Sequence, residues 1–390
     1  MNFNSTSRFI FPVLTCIHIL LLSCRSNELD YSKAIQIKIN ESDITNNQKI
    51  SELLSDIKIV PLETNPQSLI SEVRKIVEYD GNYIMQDTYI SSSVVAFDSS
   101  GKFIRKYGAK GIQSGQYILP MDFYIDEERN ELLILNSETH FINIYDLTTG
   151  SFKRSKRYNF ATHQMIKVDS NCIAFGGAAK EKRIFFSDTS LSVSKRFIDY
   201  SERYRLGLIN PFTKPDDSTI LFRMSYDNTI YKVLRNRIIP YVKIDFGDKA
   251  LSDEFYDSLN EPQKRRLADY TVDKMCNIVT YYETADSRAF TFFYKNDVIW
   301  CVQDKITSHV KLFNGRKNID DVLHLNSFPT ILGTDKDGFF LAVVSAEKIS
   351  STIKGILDGN INSVYKDILT PIKITELSNP VLVKFKFQKF

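Results

Sequence analysis

The sequence predicts an all-β chain folded as a six-bladed β-propeller, with short helical inserts in the later blades. Three observations predict it. From Ile57 onward, short runs of Val, Ile, Phe and Tyr alternate with polar residues at a period of two, as at 94–97, 142–145, 289–294 and 381–387. Turn-forming clusters recur in two interleaved series, with most steps between about 41 and 51 residues, the length of one four-stranded blade. The first series has six members: Asp80-Gly81, Glu128-Arg129-Asn130, Asp169-Ser170-Asn171, Asp216-Asp217-Ser218, Asp286-Ser287 and Asp335-Lys336-Asp337-Gly338. Six turns imply six blades.

The elements follow in chain order. Residues 1–23 read as a secretory signal: Arg8 gives a basic start, an apolar run follows from Phe9 to Leu22, and Ser23 is the small residue at the cut. The run is shorter than the ~20 residues that span a bilayer. Leu21, Ser23 and Cys24 resemble a bacterial lipobox, which implies lipid attachment at Cys24. Residues 24–52 are polar and read as a lipid-anchored tether, with one short strand at 34–39. Glu28 and Asp30 form only a sparse acidic cluster behind the cysteine.

The propeller is expected over 53–390. Its closure pairs strands from the two chain ends, 57–62 with 381–387, which puts Pro61 at an edge or strand end where its missing donor is tolerated. The second turn series, at 97–101, 145–150, 187–190, 234–236 and 303–305, joins outer strands. Two inserts interrupt the pattern. Residues 252–275 read as a helical hairpin with Ser252 as N-cap and Pro262 starting its second piece. Residues 345–357 read as an amphipathic helix with Ile349, Ile353, Ile356 and Leu357 on one side. Both inserts are expected to shape a pocket at one rim.

Composition bounds the function. The 390 residues are 43% hydrophobic, 12% aromatic and 25% charged, with formal charge +3, which is too balanced for a nucleic-acid partner. Cys172, Cys276 and Cys301 have neither zinc-site nor CxxC spacing and read as buried thiols. Cys276 and Cys301 fall on the first and third strands of one blade, ~9–10 Å apart and beyond disulfide reach. His140, His163, His309 and His324 lack ligand spacing, and the loop 108–117 lacks a phosphate-cradle ending, so it reads as a blade-to-blade connection. Trp300 lies in an apolar strand.

Residues from about 53 to 390 resemble the uncharacterised six-bladed β-propeller lipoproteins of Bacteroides-like bacteria, which share the architecture of NHL-repeat propellers. The stretches that carry the resemblance are 57–64 (IKIVPLET), 95–108 (VAFDSSGKFIRKYG), 108–117, 229–247 and 379–383 (NPVLV). The loop that reads Gly-x-Gly-Pro-Gly-Glu-Tyr in the family runs from Gly111 to Tyr117 here without its proline and carboxylate. The resemblance implies fold and a cell-envelope, outer-membrane location, and it leaves activity open.

Lactonase-like propellers hold calcium on the axis with an early Glu and later Asn and Asp residues. Glu63, Asn136, Asn210 and Asp227 are the candidates for such axial or metal ligands, since calcium takes several hard oxygens. The plainer reading of Glu63 is a bond to backbone or to an Arg at the blade junction. Lys153, Arg154, Lys156 and Arg157 alternate along an outermost strand, where cations discourage edge pairing. Lys264, Arg265 and Arg266 on the insert are candidate partner-binding residues. The leading expectation is a binding module for a glycan, another ligand or an outer-membrane protein partner, held to the membrane by lipid. Its rival is a metal-dependent hydrolase or lyase.

Overall fold

The fold is taken from a computed structural model, which describes residues 29–177, 182–199, 201, 203, 208 and 210–390. The expected signal segment and Cys24 lie outside the described residues. Six antiparallel sheets stand in chain order around an axis, as blades 1 to 6. Blades 1 to 5 take their four sequential strands from 73–106, 120–157, 162–197, 212–245 and 276–314. Blade 6 takes three strands from 333–387 and its outermost from the N-terminal side, β3 (Leu54–Pro61).

Both turn series are present, and the Asp residues explain why. Asp98 accepts the amides of Ser100 and Lys102, Asp146 those of Thr148 and Thr149, Asp188 those of Ser190 and Ser192, and Asp304 those of Ile306 and Thr307. Each carboxylate thus closes the loop between the third and fourth strands of its blade. Gly101 completes the blade 1 turn at φ +85°, and a Cβ there would sit 2.2 Å from the carbonyl oxygen of Pro61 in the preceding blade. Only glycine allows that approach.

Ring closure follows the expectation: β3 runs antiparallel to Val381–Phe387, with Pro61 opposite Val381 at the strand end. Wedges of apolar side chains fill the space between blades. Trp300, Phe313, Phe385 and Phe387 pack between blades 5 and 6, and Tyr107, Tyr117, Phe123 and Tyr145 between blades 1 and 2. Each fully buried side chain of this size contributes roughly 1.5–3 kcal/mol. Cys172, Cys276 and Cys301 are buried and free.

The expected tether is corrected. From Ile35 the chain is laid along the outside of the ring rather than hanging from it. β1 (Ile35–Lys38) pairs in parallel with the outermost strand of blade 4, and β2 (Ile44–Thr45) with that of blade 5, before β3 closes blade 6. Ile37, at 1% exposure, sinks into the core between blades 4 and 5. The strapped edges are apolar (RIIPYVKID and VKLFN), whereas the unstrapped edge of blade 2 is FKRSKR. Two apolar edges are covered by the strap, while the open edges of blades 2 and 3 are cationic.

The first insert is three short helices, α1 (Asp253–Ser258), α2 (Glu261–Arg265) and α3 (Leu267–Tyr270), between blades 4 and 5. Ser252 caps α1 by accepting the Phe255 amide, and Asn260 and Gln263 form a capping box on α2. The second is α4 (Ala346–Leu357), between the second and third strands of blade 6, followed by α5 (Lys366–Leu369). Ile349 and Ile353 are buried, but Leu357, expected beside them, is exposed.

Candidate functional site

A cavity of about 1400 Å³ occupies the axis. It opens among the six hairpins that join first and second strands, and Glu128, Asp169, Asp217, Asp286 and Asp337 stand around its mouth. The helical inserts lie on the other face, because second-to-third and blade-to-blade connections of an antiparallel blade emerge opposite those hairpins. None of α1 to α5 lines the cavity, which corrects the expectation that they shape it.

The inner end is closed by polar groups from opposite blades. Asn210, entering blade 4 with φ 46°, donates to the carbonyls of Arg74 at 2.7 Å and Leu332 at 3.5 Å, and to the Tyr282 hydroxyl at 3.0 Å. Those partners belong to blades 1, 6 and 5, so the side chain bars the axis. Beneath it Arg223 is fully buried and donates to the carbonyls of Ile278 and Asn210. Burial lowers its pKa to about 10, still charged at neutral pH, and burial pushes the Tyr282 phenol up to about 12. Lys75, 14% exposed, donates 2.7 Å bonds to Asp122 and to the Phe123 carbonyl, while Asp122 accepts the Met165 amide. These contacts tie blades 1, 2 and 3 at the same end.

The cavity is lined by nine carboxylates and eight cations, so its net field is close to neutral. Most of the carboxylates are committed to turns or ion pairs. Glu128 holds Lys167 at 2.7 Å, Asp169 caps the Asn171 amide, Asp216 the Ser218 amide and Asp335 the Phe339 amide. Tyr79, Phe212 and Tyr282 add aromatic surface. The arrangement suits a polar ligand without strong net charge.

The four candidate metal ligands are not brought together. Glu63 sits at the junction of blades 6 and 1, where it accepts the Phe103 amide at 2.9 Å and a bond from Asn65. Asn136 ends the second strand of blade 2, with its side-chain oxygen 3.5 Å from the Leu119 amide. Asp227 holds the Thr229 amide and the Tyr231 hydroxyl. Asn210 alone is axial, and it is spent on the bonds above. Among the described residues no group of three or more His, Cys, Asp and Glu is placed to hold a metal.

The insert cations are partly neutralised locally: Lys264 lies 3.5 Å from Glu261 and over the Tyr256 ring, and Arg266 pairs with Asp269, leaving Arg265 exposed. The loop 108–117 connects blades 1 and 2, and its Tyr117 hydroxyl donates to the Tyr107 carbonyl.

Sequence reasoning missed Lys75, Asp122, Tyr282 and Arg223. Within VRKIVEY a lysine reads as the solvent side of an alternating strand, and nothing local says that the strand lines an axis. A second missed cluster had a weak signal, since Glu283 and Arg288 flank a turn between apolar strands. Glu283 is 1% exposed and accepts from Arg288 at 2.7 Å, Lys305 at 3.0 Å, Tyr241 at 3.3 Å and Tyr281.

Six blades around an axial funnel closed at one end define a six-bladed β-propeller built like a binding scaffold. The chain belongs to the family described as domain of unknown function DUF4934, whose model matches residues 34–386. In structure it is similar to an exported protein of Bacteroides fragilis, at 18% identity, with a TM-score of 0.77 over 91% of this chain and 100% of that one. It is also similar to a DUF4221 family member of Bacteroides vulgatus, at 10% identity, with a TM-score of 0.50 over 87% and 98% of the two chains. Both likenesses bear out the six-bladed fold, as the resemblance in sequence implied. No curated protein matches the sequence.

Proposed function

We propose that the protein is a non-catalytic binding module, exported and held at the cell envelope by lipid on Cys24, which takes a polar, near-neutral ligand such as a glycan into the axial funnel. The observation that carries the reading is the funnel itself. Its volume exceeds the ~300–1,000 Å³ of common small-molecule pockets. Its charges are balanced and mostly engaged, while hydroxyl and aromatic groups remain for hydrogen bonding and stacking. The N-terminal pattern supports export, as does the description of the B. fragilis relative.

Two measurements test the proposal. Calorimetry against envelope and dietary oligosaccharides should find a binder, and Ser218→Trp with Thr334→Trp, narrowing the funnel from blades 4 and 6, should abolish it while circular dichroism stays unchanged. Binding that survives both substitutions, or stoichiometric calcium or zinc in the purified protein, would overturn it. Cys24→Ala should release the protein from membranes; persistent lipid labelling would refute the anchor.

A further inference from the structure

The floor of the funnel is a ring of bonds rather than a single plug. Between blades 6 and 1 the seam is backbone: the Ile76 amide donates to the Leu332 carbonyl at 3.1 Å, and a Cβ on Gly333 would lie 2.3 Å from the Ile76 carbonyl oxygen. Only glycine permits that approach, so no side-chain rotation opens the seam. Lys75 and Asp122 tie blades 1, 2 and 3, and Asn210 ties blade 4 to blades 1, 5 and 6. Every blade is held at that level, and the funnel is blind.

On blade 1 the funnel wall runs from Lys75 to Tyr79, roughly 13 Å of strand. A linear polymer cannot thread a cavity closed at that depth. It can enter by a terminus, or doubled back on itself, in which case each arm covers the other's hydroxyls from the wall.

The floor has bonding capacity left for a terminus. The Tyr282 hydroxyl, on a residue 5% exposed, accepts from Asn210, and among the described residues nothing accepts its own proton. Lys75 gives one proton to Asp122 and one to the Phe123 carbonyl, which leaves the third of its ammonium protons. Both free groups are donors, and the pair Lys75 and Asp122 is neutral as a unit. They suit a neutral oxygen, such as a sugar hydroxyl or ring oxygen, whereas an ammonium would find no acceptor in them.

We infer that the funnel takes a neutral glycan by its chain end, with the terminal sugar on the floor against Tyr282 and Lys75. Tyr282 is then a specificity-determining residue. The inference rests on the funnel as the glycan site and adds the mode of entry.

The purified protein is titrated by calorimetry with hexasaccharides of xylan, mannan, laminarin and amylose, and then with the parent polysaccharide of whichever binds. End-on entry gives hexasaccharide and polymer the same affinity per chain end, within about threefold, so the polymer is much the weaker at equal sugar mass. Of two modified hexasaccharides, one reduced with borohydride at the reducing end and one methylated at the other, one should lose about tenfold and the other nothing. Tyr282→Phe should weaken the unmodified hexasaccharide about tenfold with circular dichroism unchanged, the worth of roughly one or two hydrogen bonds. It should bind the sensitive modified form no worse than the wild type does, because that contact is already gone. Affinity that follows sugar mass, or indifference to both modifications, would overturn end-on entry and leave the glycan site standing. No binder in the panel overturns both.

Discussion

Asn210 reaches from the entry of blade 4 across the axis to the carbonyl oxygen of Arg74 on blade 1, 2.7 Å away. Opposite blades of a propeller share no packing core, so this bond joins parts of the ring that only the axis brings together, while the bonds to Tyr282 and Leu332 add ties to blades 5 and 6. Its left-handed backbone, φ 46°, is one that asparagine tolerates better than most residues.

Asn210→Ala should therefore destabilise the fold by about 2–4 kcal/mol, combining lost buried hydrogen bonds with backbone cost. Urea unfolding measures it. A loss under 0.5 kcal/mol would show that water replaces the amide and that the axis is open there.

The Glu283 cluster gives a contrast between single and double variants. Glu283→Ala leaves the Arg288 guanidinium buried beside Gln303 without its carboxylate, and should cost about 3–5 kcal/mol. Replacing both residues, as Glu283→Leu with Arg288→Met, should recover most of that loss. A double variant no better than the single one would mean that Lys305 and Tyr241 need the carboxylate as much as Arg288 does.

Buried tyrosines set an alkaline limit. Burial pushes Tyr145, Tyr226 and Tyr282 up to about 12, and Tyr117, Tyr124 and Tyr158 higher still. In the unfolded chain they ionise near 10. Between those values the unfolded state has lost protons that the folded state keeps, so stability is full below about pH 10 and falls as pH rises toward 12. Phenolate absorbance at 295 nm should lag well behind free tyrosine and then rise together with the loss of circular dichroism.

The strap predicts a different failure. Ile37→Asp places a charge where the side chain is 1% exposed and should detach β1 from blade 4. The freed edge of blade 4 is apolar and unpaired, so proteolysis ahead of β3 and concentration-dependent association should appear together in sizing experiments. A variant that stays monomeric and protease-resistant would show that the strap is dispensable for edge protection.

The architecture was legible because propeller turns are local chemistry. An Asp such as Asp169 or Asp216 closes its hairpin with the amide two residues on, so six recurring turns announce six blades without tertiary information. The strands 57–62 and 381–387 could be matched as closing partners because the repeat left each without a blade of its own. Ser252 was readable as a cap for the same reason of short range. The path of 35–45 was not readable: IQIK is apolar enough to be a strand, but which edge it covers depends on blades folded some two hundred residues later.

The functional end of the molecule depended on the tertiary structure almost entirely. Among the proposed ligands only Asn210 reaches the axis, and Glu63, Asn136 and Asp227 are held apart by partners on their own or neighbouring strands. The sequence by itself determined the repeat, the number of blades, the closing strands and the buried thiols, all of which rest on period and short-range bonding. Tertiary structure decided which polar residues meet at the axis, which face opens as a funnel and where the N-terminal chain leaves the rim. Those outcomes depend on the convergence of six blades about one line, a relation between residues far apart in sequence that no local pattern encodes.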